Sequence, residues 1–378
     1  MQGIVEFLTG KQQEMLQTLQ QIVERESPTL DKEATDHLAE FISGLFEELT
    51  GGKADIIPNG EYGNHVRGEY GNGEDQILLL GHFDTVWQKG DIHQKVPFRV
   101  VDDIAYGPGV FDMKGGLVQG LYALHTLKEL NETINKKVVF LFTSDEELGS
   151  PSSQRLIEEE AKKSSCVFVL EPALEGALKT ARKGVGIFKL RIKGRAAHAG
   201  VEPEKGLSAI LELGKQIVYL HELTDYSIGT TVNVGKVSGG TTVNVIAEEA
   251  EADIDLRVKT QAEFDRIIPI IKNLPSHIND VEVTVEGGVN RPPLERTEAV
   301  AALFNTAKKL AKEHLGFSLL EKETGGGSDG NFTAPFAPTL DGLGAVGSGA
   351  HALDEHLIIS EMPRRSALLA LLLKEVSK

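Results

Sequence analysis

The chain has 378 residues, 40% of them apolar and 25% charged, with 40 glycines, so it has material for one large or two medium domains with a sizeable core. A peptide or a disordered chain is excluded. Lys and Arg number 39 against 56 Asp and Glu, a formal charge of −17 that repels phosphate backbones and anionic membrane surfaces, so neither nucleic acid nor membrane is an expected partner.

The opening MQGIVEFLTGKQQEM lacks a basic stretch leading into an apolar one, and the longest apolar run, Ala367 to Leu373, falls far short of a bilayer span. A cytoplasmic location is expected. In the first fifty residues, Leu16, Leu19, Ile22 and Val23, then Leu38, Phe41, Leu45 and Leu49, recur at helical spacing before Gly51-Gly52; this predicts two amphipathic helices. Short apolar runs of β type follow at Gln76 to Leu80, Val138 to Phe142 and Cys166 to Leu170, separated by helical patterns at Leu117 to Leu130 and Ser152 to Lys163. Such alternation predicts an α/β fold with a mainly parallel mixed sheet covered by helices. The single cysteine, Cys166, lies inside the third run and reads as a reduced, buried thiol.

From about Gly184 the texture changes to alternating strands at Ile187 to Ile192, Thr230 to Val237 and Ala250 to Val258, with helical patterns at Gly206 to His221 and Gln261 to Asn273. This predicts an inserted α+β module over residues 184–290, closed by the linker-like Gly287-Gly288 and Arg291-Pro292-Pro293. Residues 1–183 and 291–378 would form the other domain. From Thr297 onward the chain returns to long helices and one Gly-rich loop, Gly325 to Gly330.

In an open α/β sheet, ligands bind beyond the carboxyl ends of the strands. Gln76 to Leu80 is followed by Gly81-His82-Phe83-Asp84-Thr85, Val138 to Phe142 by Thr143-Ser144-Asp145-Glu146-Glu147, and Cys166 to Leu170 by Glu171-Pro172; Asp112 lies in a Gly-rich loop from Tyr106 to Gly116. Taken singly, an acid pair can be a solvated helix start, a histidine a structural one and a Gly-rich loop a turn. None of these explains why acids and a histidine recur after successive apolar strands. Carboxylates with imidazole suit two divalent cations of the Zn²⁺, Mn²⁺ or Co²⁺ kind, and without them so dense a set of acids repels itself.

The motifs GHFDTV, GPGVFDMKGG, TSDEELGS, the Glu171-Pro172 pair and GRAAHAG resemble those of the M20 family of di-zinc metallopeptidases and deacylases, in family order and over nearly the whole chain. Within it the chain is most similar to the glutamate carboxypeptidase group of the folate-hydrolysing type. The resemblance implies a zinc exopeptidase-like catalytic domain and makes the inserted module a lid and dimerisation domain. It implies that Asp112 bridges two Zn²⁺, with His82 and Glu171 on one ion and Glu147 and His351 on the other, and that Glu146 is the general base. His351 is chosen over His356 because its segment matches the family's His-x-x-x-Glu ending. Asp84 would orient the His82 imidazole, and the Asp112-Met113 peptide would be cis.

The same resemblance makes His198 an oxyanion donor, often reaching across a dimer interface, and has Arg257 and Asn244 bind substrate. Gly326, Gly327 and Ser328 are candidates to bring backbone N–H groups to the substrate, and the module would rotate about linkers near Lys183 and Gly288. The implied activity is release of a C-terminal amino acid, with glutamate the expected one, from a small peptide or N-acyl amino acid by a homodimer. The alternative is an N-acyl amino acid deacylase of the aminoacylase, acetylornithine or succinyl-diaminopimelate type. A catalytically dead assembly protein would have lost a ligand or the base, and all six are present.

Overall fold

Alternate residues of three neighbouring strands face two different apolar layers, as a sheet covered on both sides requires. In Gln76–His82, Lys137–Thr143 and Ser164–Val169, the side chains of Ile77, Leu79, Phe140, Phe142 and Phe168 join one buried cluster, and those of Leu78, Leu80, Val139, Leu141 and Val167 join another. The computed structural model describes every residue from Met1 to Lys378. Its chain forms two compact units, the first Met1–Thr180, Arg296–Glu323 and Ser328–Lys378, the second Ala181–Glu295 with Thr324–Gly327.

The first unit is built on a six-stranded sheet in the order Lys53–Ile57, His65–Tyr70, Lys137–Thr143, Gln76–His82, Ser164–Val169, Thr339–Leu340. The first two strands run antiparallel to their neighbours and the last four are parallel, so the expected α/β architecture with a mainly parallel mixed sheet is present. Gly115–Glu129 and Glu361–Val376 join the N-terminal helices in the larger apolar layer, and Gln154–Lys162 contributes Ile157 and Ala161 to the smaller one. Register places His82 opposite Thr143 and Leu80 opposite Val169. The three parallel strands therefore end level, and the residues after each one emerge at one rim.

Three helices open the chain where two were expected. Gln2–Gly10 and Gln12–Glu24 are interrupted at Lys11, whose ψ of 1° leaves helical geometry. Lys32–Thr50 follows, capped by the Asp31 carboxylate at the Ala34 N–H and stopped by Gly51 at φ 68°. Cys166 is buried, and burial pushes its thiol up to about 11. No helix is long and apolar enough to cross a membrane.

The second unit is a four-stranded antiparallel sheet in the order Thr231–Gly239, Glu249–Val258, Gly184–Lys193, Glu282–Arg291. Helices Ala209–Glu222 and Gln261–Lys272 share its core with Phe188, Leu190, Ile192, Ile254 and Leu256, whereas Ile187 and Arg191 on the alternate positions are exposed. The Gly287-Gly288 pair, expected as linker punctuation and hinge, lies inside the strand Glu282–Arg291, paired with Phe188 and Ile187. Gly287 has φ 102°, and a Cβ there would stand 2.2 Å from the Ile187 carbonyl oxygen, so glycine marks a close approach of two strands. Gly287→Ala is expected to cost about 2 kcal/mol or more of stability. Urea unfolding followed by circular dichroism checks this, and an unchanged midpoint would show that the strand accepts a side chain.

Candidate metal centre

The rim of the first unit's sheet gathers six acids and imidazoles from separate segments. His82 ends its strand and is only 1% exposed. Its Nδ1 lies 3.1 Å from the Asp84 backbone oxygen and 3.3 Å from the Asp84 carboxylate. A hydrogen on Nδ1 donated to that carbonyl leaves Nε2 with its lone pair. Nε2 stands 3.3 Å from an Asp112 oxygen and 3.7 Å from a Glu171 oxygen, yet it makes no hydrogen bond. A buried imidazole nitrogen aimed between carboxylates, with no donor to accept from, is a place for positive charge, a proton in the metal-free protein or a cation in its stead.

Ligand atoms of His82, Glu146 and Glu171 lie within 4.8 Å of one another, and so do those of His82, Asp112 and Glu147. His351 Nε2 is 3.1 Å from Glu147 Oε2 and 3.3 Å from Asp112 Oδ2. Asp112 thus stands between the two imidazoles, in contact with each. Glu146, read from the resemblance as a base and not a ligand, sits near enough to His82 and Glu171 for either part. The donor set of oxygens and imidazole nitrogens, without sulfur, fits divalent zinc, manganese or cobalt.

Asp84 is fully buried and holds more than the imidazole. Its oxygens accept from Thr29 Oγ1 at 2.8 Å, from the Glu146 N–H at 3.3 Å and from the Glu147 N–H at 3.2 Å. One carboxylate therefore orients a ring and the turn that carries two acids. The Asp112-Met113 peptide is cis. His351 adopts φ 62°, left-handed backbone that is uncommon for a residue with a Cβ and recurs at functional sites.

Protonation shows the field of the cluster. Hydrogen bonding to Asp112, then to Glu147, raises the His351 imidazole to about 10. For His82 burial is the largest influence and acts downward, but Asp112 and Asp84 outweigh it and hold the ring well above its usual range. Burial likewise works to raise Asp112, and the two histidines overcome it and hold its carboxyl well below the ordinary range. In the metal-free protein, protons occupy the places where positive charge is wanted.

The remaining sequence candidates divide between the units. In the second unit, His198 is exposed and its Nδ1 accepts the Gly200 N–H at 3.1 Å, which leaves Nε2 as a donor. Asn244 comes beside it, because Ala197–His198 pairs with Val245–Ile246 and the Ala199 N–H donates to the Asn244 oxygen at 3.0 Å. Arg257 is bound by Asp255, two residues away on the same face, at 2.9 Å from both Nε and Nη2. The carbonyls of Gly326 and Gly327 accept from Arg182 at 3.2 and 3.0 Å. In the first unit, Ser328 does not suit substrate: its hydroxyl donates to Asp341 and its N–H to Asn331 Oδ1, each at 2.8 Å.

Glu355, its partner Trp87 and Lys114, all of the first unit, were given no role from the sequence. Glu355 is 1% exposed, and its carboxylate accepts from Trp87 Nε1 and from the N–H groups of Gly109, Phe111 and Asp112, at 2.8 to 3.0 Å. Lys114 is buried and donates to the carbonyls of Ile22 and Arg25; burial pushes its ammonium down to about 7 against the opposing field of Glu355. The only sequence signal was the position of Glu355 in the His-x-x-x-Glu segment.

The family model for "Peptidase family M20/M25/M40" matches residues 78–375. The chain belongs to that family. It is accordingly a metal-dependent hydrolase. Carboxypeptidase G2 of a Pseudomonas species is 33% identical over 97% of this chain and 90% of its own length. Succinyl-diaminopimelate desuccinylase of Stenotrophomonas maltophilia is 26% identical over 82% of this chain and 86% of its own. Among solved structures, aminopeptidase PepT of Bacillus cereus superposes with a TM-score of 0.81 at 22% identity, covering 97% of this chain and 99% of that one. A dinuclear metal-binding peptidase of the M20 family from Bacillus subtilis gives 0.75 at 15% identity, covering 97% and 98%. At such identities these two report the shared fold alone.

Proposed function

We propose that this M20 hydrolase uses two zinc ions to cleave an amide bond and release a C-terminal amino acid, in the manner of a glutamate carboxypeptidase. The observation that carries the reading is the buried Nε2 of His82 among the oxygens of Asp112, Glu146, Glu147 and Glu171, with His351 on the far side of Asp112. The likeness to carboxypeptidase G2, at 33% identity over 97% of the chain, supports the choice of reaction, and the M20 neighbour described as dinuclear supports two ions.

In this reading His82, Asp112 and Glu171 hold one cation and Asp112, Glu147 and His351 the other. When bound, the cations supply Lewis-acid polarisation of the scissile carbonyl and make a water acidic near neutral pH. Glu146 would accept a proton from the attacking water and return it to the leaving nitrogen. Asp84 keeps the backbone of Glu146 and Glu147 and the ring of His82 in place. His198 offers Nε2–H to the developing oxyanion, a donor worth about 3 kcal/mol of barrier, and Arg257 with Asn244 binds the substrate carboxylate.

The second unit is proposed as the lid and dimerisation domain of a homodimer in the cytoplasm, and the first as the catalytic domain. The lone, buried Cys166 suits a reducing compartment. The desuccinylase likeness, at 26% identity over 82% of the chain, favours the alternative of an N-acyl amino acid deacylase with the same machinery. A panel of di- and tripeptides, folate-like glutamate conjugates and N-acyl amino acids, assayed before and after chelation, separates the two. Preference for N-acetyl or N-succinyl amino acids over peptides and folate-like glutamate conjugates would reject the carboxypeptidase, and turnover that survives chelation would reject the metal chemistry altogether.

A further inference from the structure

The Glu355 carboxylate accepts four hydrogen bonds beside the metal centre. Oε1 accepts the N–H groups of Phe111 and Asp112, both at 3.0 Å, and Oε2 accepts the Gly109 N–H at 2.9 Å and the Trp87 indole at 2.8 Å. Four donors saturate its oxygens, so it has no lone pair left for a cation and is not itself a ligand. Its backbone oxygen also accepts the Gly107 N–H at 3.3 Å. The whole loop from Gly107 to Asp112 is thus fastened to one residue.

That loop lies outside the regular ladders of the sheets, and Gly109 turns through φ 72°. The side chain of Glu355 therefore supplies bonds that a strand or helix would have supplied. Glu355 stands four residues after His351, in a segment that turns at Gly349 with φ 83° and returns as the strand His356–Ile358 against Ile104–Tyr106. Asp112 and His351 meet at 3.3 Å. Their two segments are far apart in the chain, and Glu355 joins them.

We infer that Glu355 is a positioning residue which sets Asp112 and His351 in one frame, so that the metal position on the His351 side depends on it. The inference rests on the dinuclear reading above. Glutamine is the informative replacement, because an amide presents one oxygen and one NH₂ where four donors converge, and two of them lose their acceptor. Outer partners of ligands typically govern 10- to 100-fold in metal affinity.

The test titrates chelator-treated protein with Zn²⁺ by calorimetry and with Co²⁺ by visible absorption, alongside a melting curve. Wild type is expected to take up two equivalents; E355Q is expected to weaken both sites, because Asp112 serves both, by a few fold at one and by 10- to 100-fold at the other, with an altered Co²⁺ band for the second equivalent. A folded E355Q with both affinities unchanged, even at a lower melting temperature, makes Glu355 a mere structural tie and overturns the inference. If E355Q does not fold, W87F decides: it removes a single donor, and a loss of a few fold that is larger at one site supports the inference, whereas no loss, or an equal loss at both, overturns it. Wild type that binds fewer than two equivalents overturns the dinuclear reading itself, which no result on the variants alone would do.

Discussion

Replacing Glu146 by glutamine is expected to lower kcat by about 10²- to 10⁴-fold, the usual contribution of a positioned acid-base group, with two metal equivalents still bound and KM little changed. Glutamine keeps the size of the side chain and cannot accept the proton. The backbone N–H of residue 146 donates to Asp84 at 3.3 Å, a bond the substitution leaves alone, so the turn carrying Glu147 should hold. The measurement combines steady-state rates with metal analysis of the same sample, because Glu146 also lies among the ligand atoms of His82 and Glu171. A variant that loses one metal equivalent along with activity makes Glu146 a ligand. Turnover equal to wild type removes it from the chemistry.

The parallel strands were legible because burial on both faces leaves a continuous apolar run, as in Ile77 to Leu80 and Val138 to Phe142. Once those strands are parallel and end level, the acids and the histidine after them must come out at one rim, and that much of the site follows from chain order and topology. The outer strands were not legible. Lys53–Ile57 is largely exposed and His65–Tyr70 alternates incompletely, so neither shows an apolar run or a clean period of two. Glu282–Arg291 was hidden by Gly287-Gly288, which reads locally as a turn although strand approach is what asks for glycine there.

The ligand assignments were of another kind. Nothing in the spacing of His82, Asp112 and His351 says which pairs touch; that came from family resemblance. The bonds of Glu355 to Trp87 and Asp112 join positions 268 and 243 residues apart, and no local pattern encodes such contacts. Ser328 erred in the opposite sense, since a Gly-rich loop suggests open N–H groups, whereas Asn331 and Asp341 already bind this residue.

Removing the metal is expected to abolish activity and to make stability fall as pH rises, the second large effect. In the metal-free protein the His351 imidazole stands at about 10 against an ordinary value of 6.5, and His82 is also held high. A group raised on folding stabilises the fold fully below its unfolded value, so this contribution is complete below pH 6.5 and is lost as pH climbs through about 10. Asp112 is depressed, and its contribution is present above the ordinary value of 3.8 and lost as pH falls below it. The metal-free protein should thus melt highest at mildly acidic pH and progressively lower from pH 6.5 to 10. Cations take up the same donors with the imidazoles neutral, so the loaded protein should melt at a nearly constant temperature over that window and the gap between the two forms should widen. Melting curves of chelated and Zn²⁺-loaded protein at pH 6, 7.5 and 9 measure the gap, and calorimetry in buffers of different ionisation enthalpy measures the protons released on binding. A chelated protein whose melting temperature is flat or rises over this range, with no proton release, would mean that His82 and His351 are not the groups whose protons the metals replace.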